Sequence, residues 1–196
     1  MESSLLERCH ALGDSTVAEA GTIALSEIAS VLAMGDLNDS EVASLARRDP
    51  SKPYGRRVII DTDRLEGMVA QWTRGVPCAP HDHGGASGAV RVLRGEAVHT
   101  VWRLEEDDLA PIRIHRARRG DVIRCGPHMV QSMVDGGAME PLVTLHLYAD
   151  PIDHMVVYDL ESADTYTVDG GCGAWIPHEQ PELVRSRRPG LVRPSA

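Results

Sequence analysis

Gly75-Val76-Pro77-Cys78-Ala79-Pro80-His81-Asp82-His83-Gly84-Gly85 is the stretch on which the reading of this chain turns. In extended backbone, residues i and i+2 share a face, so His81 and His83 project together while Asp82 points away. Two imidazoles converging from one strand are a natural pair of ligands for a first-row transition metal. Surface strands also produce His-x-His by chance, so the surroundings decide its meaning. From Arg56 onward the chain consists of short β-rich runs separated by glycine, proline and aspartate. Candidate strands are 57–62, 66–73, 89–94, 96–103, 112–116, 121–125, 129–134, 142–148 and 155–159, with a weaker one at 165–168. Leu93-Arg94-Gly95-Glu96 reads as a tight hairpin turn. Many short strands with no helical period between them predict an antiparallel sandwich or barrel.

Upstream the texture differs. The first 50 residues hold nine acidic and three basic groups, which supply −6 of the net −9. Ile23, Leu25, Ile28, Val31 and Leu32 recur at helical spacing, as do Val42 and Leu45, predicting an amphipathic helical layer. Asp39 or Ser40 is placed to cap the second helix, and Pro50 with Pro53 to end it. Downstream, the tail from Gly170 carries Cys172, Trp175 and Pro177, then four arginines, and its end is expected to fray. The 196 residues therefore read as one mainly β domain: N-terminal helices over 1–50, a barrel over 54–168 and a C-terminal tail over 169–196.

Composition excludes several classes. An acidic chain with only seven aromatics lacks the basic footprint and stacking platforms of a nucleic-acid binder. The apolar stretch from Thr22 to Met34 is interrupted by Glu27 and too short to span a bilayer. The start shows no signal-peptide pattern, and Cys9, Cys78, Cys125 and Cys172 contain no CxxC pair. The expectation is a cytoplasmic protein with reduced, buried thiols and no membrane partner. Cys78 lies three residues before His81, but a buried inert thiol is its simplest reading.

The spacing around the two histidines is more specific than the pair itself. Gly75-x5-His81-x-His83-x4-Gly88-x6-Gly95 matches the first cupin motif except at Gly88, where most cupins carry a glutamate ligand. Loss of that carboxylate predicts a site of neutral imidazoles, with more charge left on the metal to attract an anionic substrate. The second cupin motif is looser: Gly120, then Gly126-Pro127-His128, with Ser132 where asparagine is usual. The interval from Gly120 to His128 is about three residues short of the pattern. His128 is the expected third ligand. The fold expected is a cupin-type jelly-roll barrel behind an N-terminal helical layer.

Two further segments narrow the family. Leu142-Val143-Thr144-Leu145-His146-Leu147-Tyr148 alternates, placing Thr144, His146 and Tyr148 on one face, either a solvent-facing polar side or a relay in a barrel interior. Tyr54-Gly55-Arg56 stands at the mouth of the first β run and, taken alone, reads as a turn with a surface charge. With PYGR at 53–56, HDHG at 81–84, GPHMVQS at 126–132 and TLHLYADP at 144–151, the chain resembles bacterial proteins of the cysteine dioxygenase family from about Tyr54 to Tyr158.

That resemblance implies Fe(II) on His81, His83 and His128, with O2 as co-substrate. It places the substrate carboxylate on Arg56, with Tyr54 and Tyr148 also at the substrate. The relay is Thr144, His146 and Tyr148, with threonine in place of the family serine. Animal members crosslink a cysteine at the Gly88 position to the relay tyrosine, which this chain cannot do. The implied activity is oxidation of L-cysteine to cysteine sulfinate. Alternatives are dioxygenation of another small thiol such as 3-mercaptopropionate, a specialised cysteine-oxidising pathway enzyme, or a metal-binding cupin module without turnover. Arg56 counts against 3-mercaptopropionate, for which glutamine is usual there. His10, His99, His115, His154 and His178 match no ligand spacing and read as structural or surface groups.

Overall fold

A computed structural model describes residues 4–14, 22–105, 108–137 and 139–191. Among the described residues three α-helices, α1 (Leu5–Asp14), α2 (Leu25–Ala33) and α3 (Asp39–Leu45), precede eleven strands. These are β1 (Tyr54–Asp61), β2 (Leu65–Trp72), β3 (Ser87–Arg94), β4 (Glu96–Glu105), β5 (Asp108–Arg118), β6 (Val122–Cys125), β7 (Val130–Asp135), β8 (Val143–Ala149), β9 (His154–Asp159), β10 (Asp164–Asp169) and β11 (Val184–Pro189). Among the described residues the pairings between these strands are antiparallel, as expected from the sequence. One sheet has the order β1-β2-β8-β3-β6; the others are β5-β4-β7 and β11-β10-β9.

His81 joins those two three-stranded groups. Its backbone bridges Gln131 of β7 on one side and Val157 of β9 on the other. His81 N–H donates to the Gln131 carbonyl at 2.9 Å, and Gln131 N–H returns the bond at 2.9 Å. Next to it, Asp82 N–H donates to Val156 O at 3.0 Å. The histidine segment is thus backbone-pinned between two strands, which fixes where its side chains point.

The helical layer packs on the outer face of the five-stranded sheet. Leu5, Cys9, Ile28, Leu32 and Val42 join Ile60, Leu65, Val69, Leu93 and the odd-numbered β8 residues Val143, Leu145 and Leu147 in one core. Burying a leucine-sized side chain contributes about 1.5–3 kcal/mol, so this layer is a principal stabiliser of the sheet. It also leaves β8 buried along both faces. The other face of β8 therefore looks into the barrel, and Thr144, His146 and Tyr148 are interior groups, not a solvated side.

Several local expectations need correction. Asn38 caps α3, its Oδ1 accepting from Glu41 N–H at 3.0 Å, because it stands one residue ahead of Asp39 in extended backbone. Gly95 does adopt a left-handed conformation (φ 76°), but β3 and β4 lie in different sheets, so the turn is a corner and not a hairpin. Helix α1 lies within the helical layer expected over 1–50, upstream of the apolar stripes that predicted it, whereas strand β11 is new; β11 pairs with β10, so the segment after Gly170 returns to the sheet. The end expected to fray, 192–196, lies outside the described residues. Among the described residues no helix is long and apolar enough to cross a membrane.

Candidate metal and thiol site

A pocket inside the barrel collects His81, His83, Gln131, His146 and Tyr148, with Arg56 and Glu66 toward one end. It is small, about 20 Å³, room for a water-sized group. Met68, Met133 and Met155 form part of its wall and can shift to admit something larger.

The histidine pair is built from the backbone outward. His81 and His83 are 7% and 2% exposed, with ring centroids 5.1 Å apart and planes 84° to one another. Nδ1 of His81 lies 2.9 Å from the Ala79 carbonyl, so Nδ1 carries the proton and the Nε2 lone pair is left available. A metal-binding imidazole is typically oriented this way, by a hydrogen bond from its other nitrogen. Burial lowers the pKa of both rings, most strongly for His83, where neighbouring His81, His146 and His99 add to the effect. Both are therefore neutral donors at pH 7. Asp82, pointing the other way, ties the loop down: its Oδ1 accepts from Gly84 N–H at 3.0 Å and Val156 N–H at 3.1 Å.

The interior face of β8 carries a directed hydrogen-bond line. Trp72 Nε1 lies 2.9 Å from Thr144 Oγ1, which lies 2.7 Å from His146 Nε2; His146 Nδ1 is 3.1 Å from the Tyr148 hydroxyl. An indole N–H only donates, so Thr144 accepts from Trp72. The threonine proton then finds its acceptor at His146 Nε2, which leaves Nδ1–H to donate to Tyr148. In this direction every member of the line is satisfied, and the Tyr148 proton is free to point into the pocket. Burial raises the Tyr148 pKa well above its ordinary value, so the hydroxyl stays protonated. Burial also lowers His146 to about 3. Tyr148 packs on His83, ring centroids 4.6 Å apart. Gly88 makes room for it: a Cβ there would fall 2.3 Å from Tyr148 Cδ1 and 2.5 Å from the Leu147 carbonyl oxygen.

Arg56 reaches the pocket from β1 and donates to the carbonyls of Gly170, at 3.3 Å, and Gly171. Tyr54 is buried against Trp72 and Trp175, and its hydroxyl accepts from Ala174 N–H at 2.9 Å. Residues 170–175 therefore form a strap across this end of the barrel, held by the two side chains expected at the substrate. Glu66, which sequence reasoning missed, lies opposite Tyr148 in the β2–β8 register and has its pKa raised by burial. Its signal was the alternation of β2, which puts Glu66, Met68 and Ala70 on one face.

His128 is not brought to the pair. It is exposed in the turn before β7, outside the pocket. In its place β7 delivers Gln131, which is 3% exposed. Its Nε2 lies 3.4 Å from His83 Nε2 and its Oε1 2.6 Å from His99 Nε2. His99, read as structural or surface from sequence, is a buried part of this interior. Among the described residues no three His, Cys, Asp or Glu side chains converge to hold a metal. The fit to a metal ion is thus two neutral imidazoles with neutral, polar neighbours. His83 Nδ1, the ring nitrogen other than the one facing Gln131, is buried without a hydrogen-bond partner.

The chain is similar to solved structures, of which the first supports the architecture. The chain is 19% identical to a conserved protein with a double-stranded β-helix domain from Klebsiella pneumoniae, at a TM-score of 0.50, over 60% of this chain and 94% of that one. It is also 19% identical to a cupin superfamily protein from Desulfitobacterium hafniense, at 0.43, over 55% of this chain and 85% of that one. The fold is a cupin barrel with an added N-terminal helical layer. The family model for cysteine dioxygenase type I matches residues 12–161, most of the chain and the site described above apart from the 170–175 strap. The chain belongs to the cysteine dioxygenase type I family.

Proposed function

We propose that the protein is a non-haem Fe(II) thiol dioxygenase that oxidises L-cysteine with O2 to cysteine sulfinate. The observation that carries the reading is the line Trp72–Thr144–His146–Tyr148, which ends in the same buried pocket as the His81–His83 pair. When bound to that pair, ferrous iron would supply thiolate binding and the electrons that activate dioxygen. The side chains do the rest. Arg56 offers a guanidinium fork to the substrate carboxylate, exchanging its carbonyl partners on the strap for charge-assisted hydrogen bonds. Glu66 places acidic character near that end, on the side where a substrate ammonium would balance it. Tyr148, with its proton directed inward by His146, donates to the oxygen delivered to sulfur. The enclosed, largely apolar walls exclude water and strengthen each of these contacts. The stoichiometry closes as RSH + O2 giving RSO2H, with no external reductant.

An oxygen-electrode screen of the iron-loaded protein across cysteine, cysteamine and 3-mercaptopropionate, with mass detection of products, tests this. Cysteine should be consumed fastest and gain two oxygen atoms. Oxygen uptake with none of these thiols would leave a metal-binding module, and preference for 3-mercaptopropionate would remove Arg56 as a cysteine anchor.

A further inference from the structure

We infer that Glu66 is a specificity-determining residue: its carboxylate accepts a hydrogen bond from the substrate's α-amino group. The pocket thereby selects an α-amino acid thiol over a thiol acid that lacks the nitrogen. The inference rests on the substrate pocket of the proposed function and assigns the group that reads the amino end. Arg56 on β1 and Glu66 on β2 line the same pocket. Arg56 stands opposite Ala70 in the β1–β2 register, and Ala70, Met68 and Glu66 alternate onto one face of β2. Across the next ladder Glu66 is directly opposed to Tyr148, so these two side chains share that interior face.

Opposite charges in a small, apolar-walled pocket ordinarily close on each other, because their attraction rises as water is excluded. Here each is held by backbone instead. Glu66 Oε2 accepts from Ile152 N–H at 3.3 Å, the one hydrogen bond of its carboxylate among the described residues. The Arg56 guanidinium is engaged by the carbonyls of Gly170, at 3.3 Å, and Gly171. Those two anchors are neighbours: a Cβ on Gly170 would fall 1.8 Å from the Ile152 carbonyl oxygen. Acid and base therefore finish at one end of the pocket. Among the described residues no basic side chain stands within ion-pair distance of Glu66. A half-buried carboxylate without a cation is costly until something completes it, and burial accordingly raises the Glu66 pKa. The ligand that satisfies both groups carries an anion and a hydrogen-bond-donating amino group on one carbon. L-Cysteine does: its carboxylate goes to Arg56 and its amino group, as amine or ammonium, donates to Glu66. 3-Mercaptopropionate supplies the carboxylate and nothing for Glu66.

The test compares two thiols that differ only by the amino group, L-cysteine and 3-mercaptopropionate, on the iron-loaded full-length protein. Anaerobic calorimetric titration reads binding, and oxygen uptake reads turnover. Glu66→Gln keeps the shape, and its amide oxygen still accepts from Ile152 N–H, so a purely structural role would leave the ratio between the thiols unchanged. Glu66→Gln should weaken cysteine binding by about 10- to 150-fold, the range of a hydrogen bond to a charged group, and bind 3-mercaptopropionate at least as tightly as wild type does. Glu66→Asp draws the charge back by one methylene and should weaken cysteine alone, by less; it covers the case in which Glu66→Gln fails to fold. If no folded variant loses cysteine selectively, the assignment is overturned and the proposed function stands. Cysteine bound by wild type and selectively lost in Glu66→Gln, with no thiol-dependent oxygen uptake, keeps the assignment and overturns the proposed activity. Wild type that binds neither thiol removes both.

Discussion

Replacing Thr144 by valine removes one hydroxyl from the centre of the line and keeps the side chain's shape. In the structure that hydroxyl is the acceptor for Trp72 Nε1–H and the donor to His146 Nε2, and Thr144 is fully buried. Both partners would be left unsatisfied in a dry interior, at about 1–3 kcal/mol each. Thr144→Val should therefore cost about 2–6 kcal/mol. Thr144→Ser keeps the hydroxyl and loses one methyl, about 1 kcal/mol. With a urea m-value of about 2 kcal/mol/M, valine lowers the midpoint by about 1–3 M and serine by about 0.5 M. Urea unfolding followed by far-ultraviolet circular dichroism measures both, in the metal-free protein. In the valine variant the His146 tautomer is no longer pinned, so thiol-dependent oxygen uptake should also fall more than in the serine variant. Valine within 0.5 kcal/mol of wild type would refute the pairing of Trp72 and His146 through this hydroxyl.

Further outcomes follow from the same geometry. Gly88→Ala drives a methyl into Tyr148 and the Leu147 carbonyl, and because backbone cannot yield as a side chain does, it should destabilise by about 1–3 kcal/mol or more; a thermal melt at or above wild type would contradict this. Because position 88 offers no sulfur, the intact mass should equal that of the sequence, with no loss of two hydrogens at Tyr148. The folded state keeps His146 neutral down to about pH 3, whereas the unfolded chain protonates near 6.5. Stability is then complete above pH 7 and falls as pH drops through 6.5, by about 2 kcal/mol at pH 5 from this residue alone; unfolding midpoints equal at pH 7.5 and 5 would oppose it. Arg56→Ala should lower kcat/KM for cysteine by about 30- to 5,000-fold while cysteamine, which has no carboxylate, changes far less; equal effects on both would remove the carboxylate anchor.

The pair His81 and His83 was legible because a period of two is a property of extended backbone that needs no partner. The Thr144–His146–Tyr148 face was legible for the same reason, but its direction was not. Only the helices stacked on Leu145 and Leu147 show that the polar face looks inward. Gln131 escaped because sequence reading of the site looks for imidazole, whereas its place in the interior follows from His81 pairing across to β7, a long-range contact. His99 escaped similarly: its importance comes from the Gln131 carboxamide across the β4–β7 pair. Strand β11 sits in an arginine-rich tail, and its charges are explained by acids on neighbouring segments, Arg187 on Asp164 and Arg185 on Asp153.

The central claim, that this pocket adds dioxygen to a thiol, is tested most directly by turnover of L-cysteine under 18O2 with the iron-loaded protein and mass analysis of the product. The account predicts a sulfinate carrying both labelled atoms, a mass gain of about 36 over cysteine, formed in proportion to bound iron and lost in His81→Ala. Disulfide as the sole product, or a sulfinate whose oxygen comes from water, would contradict it.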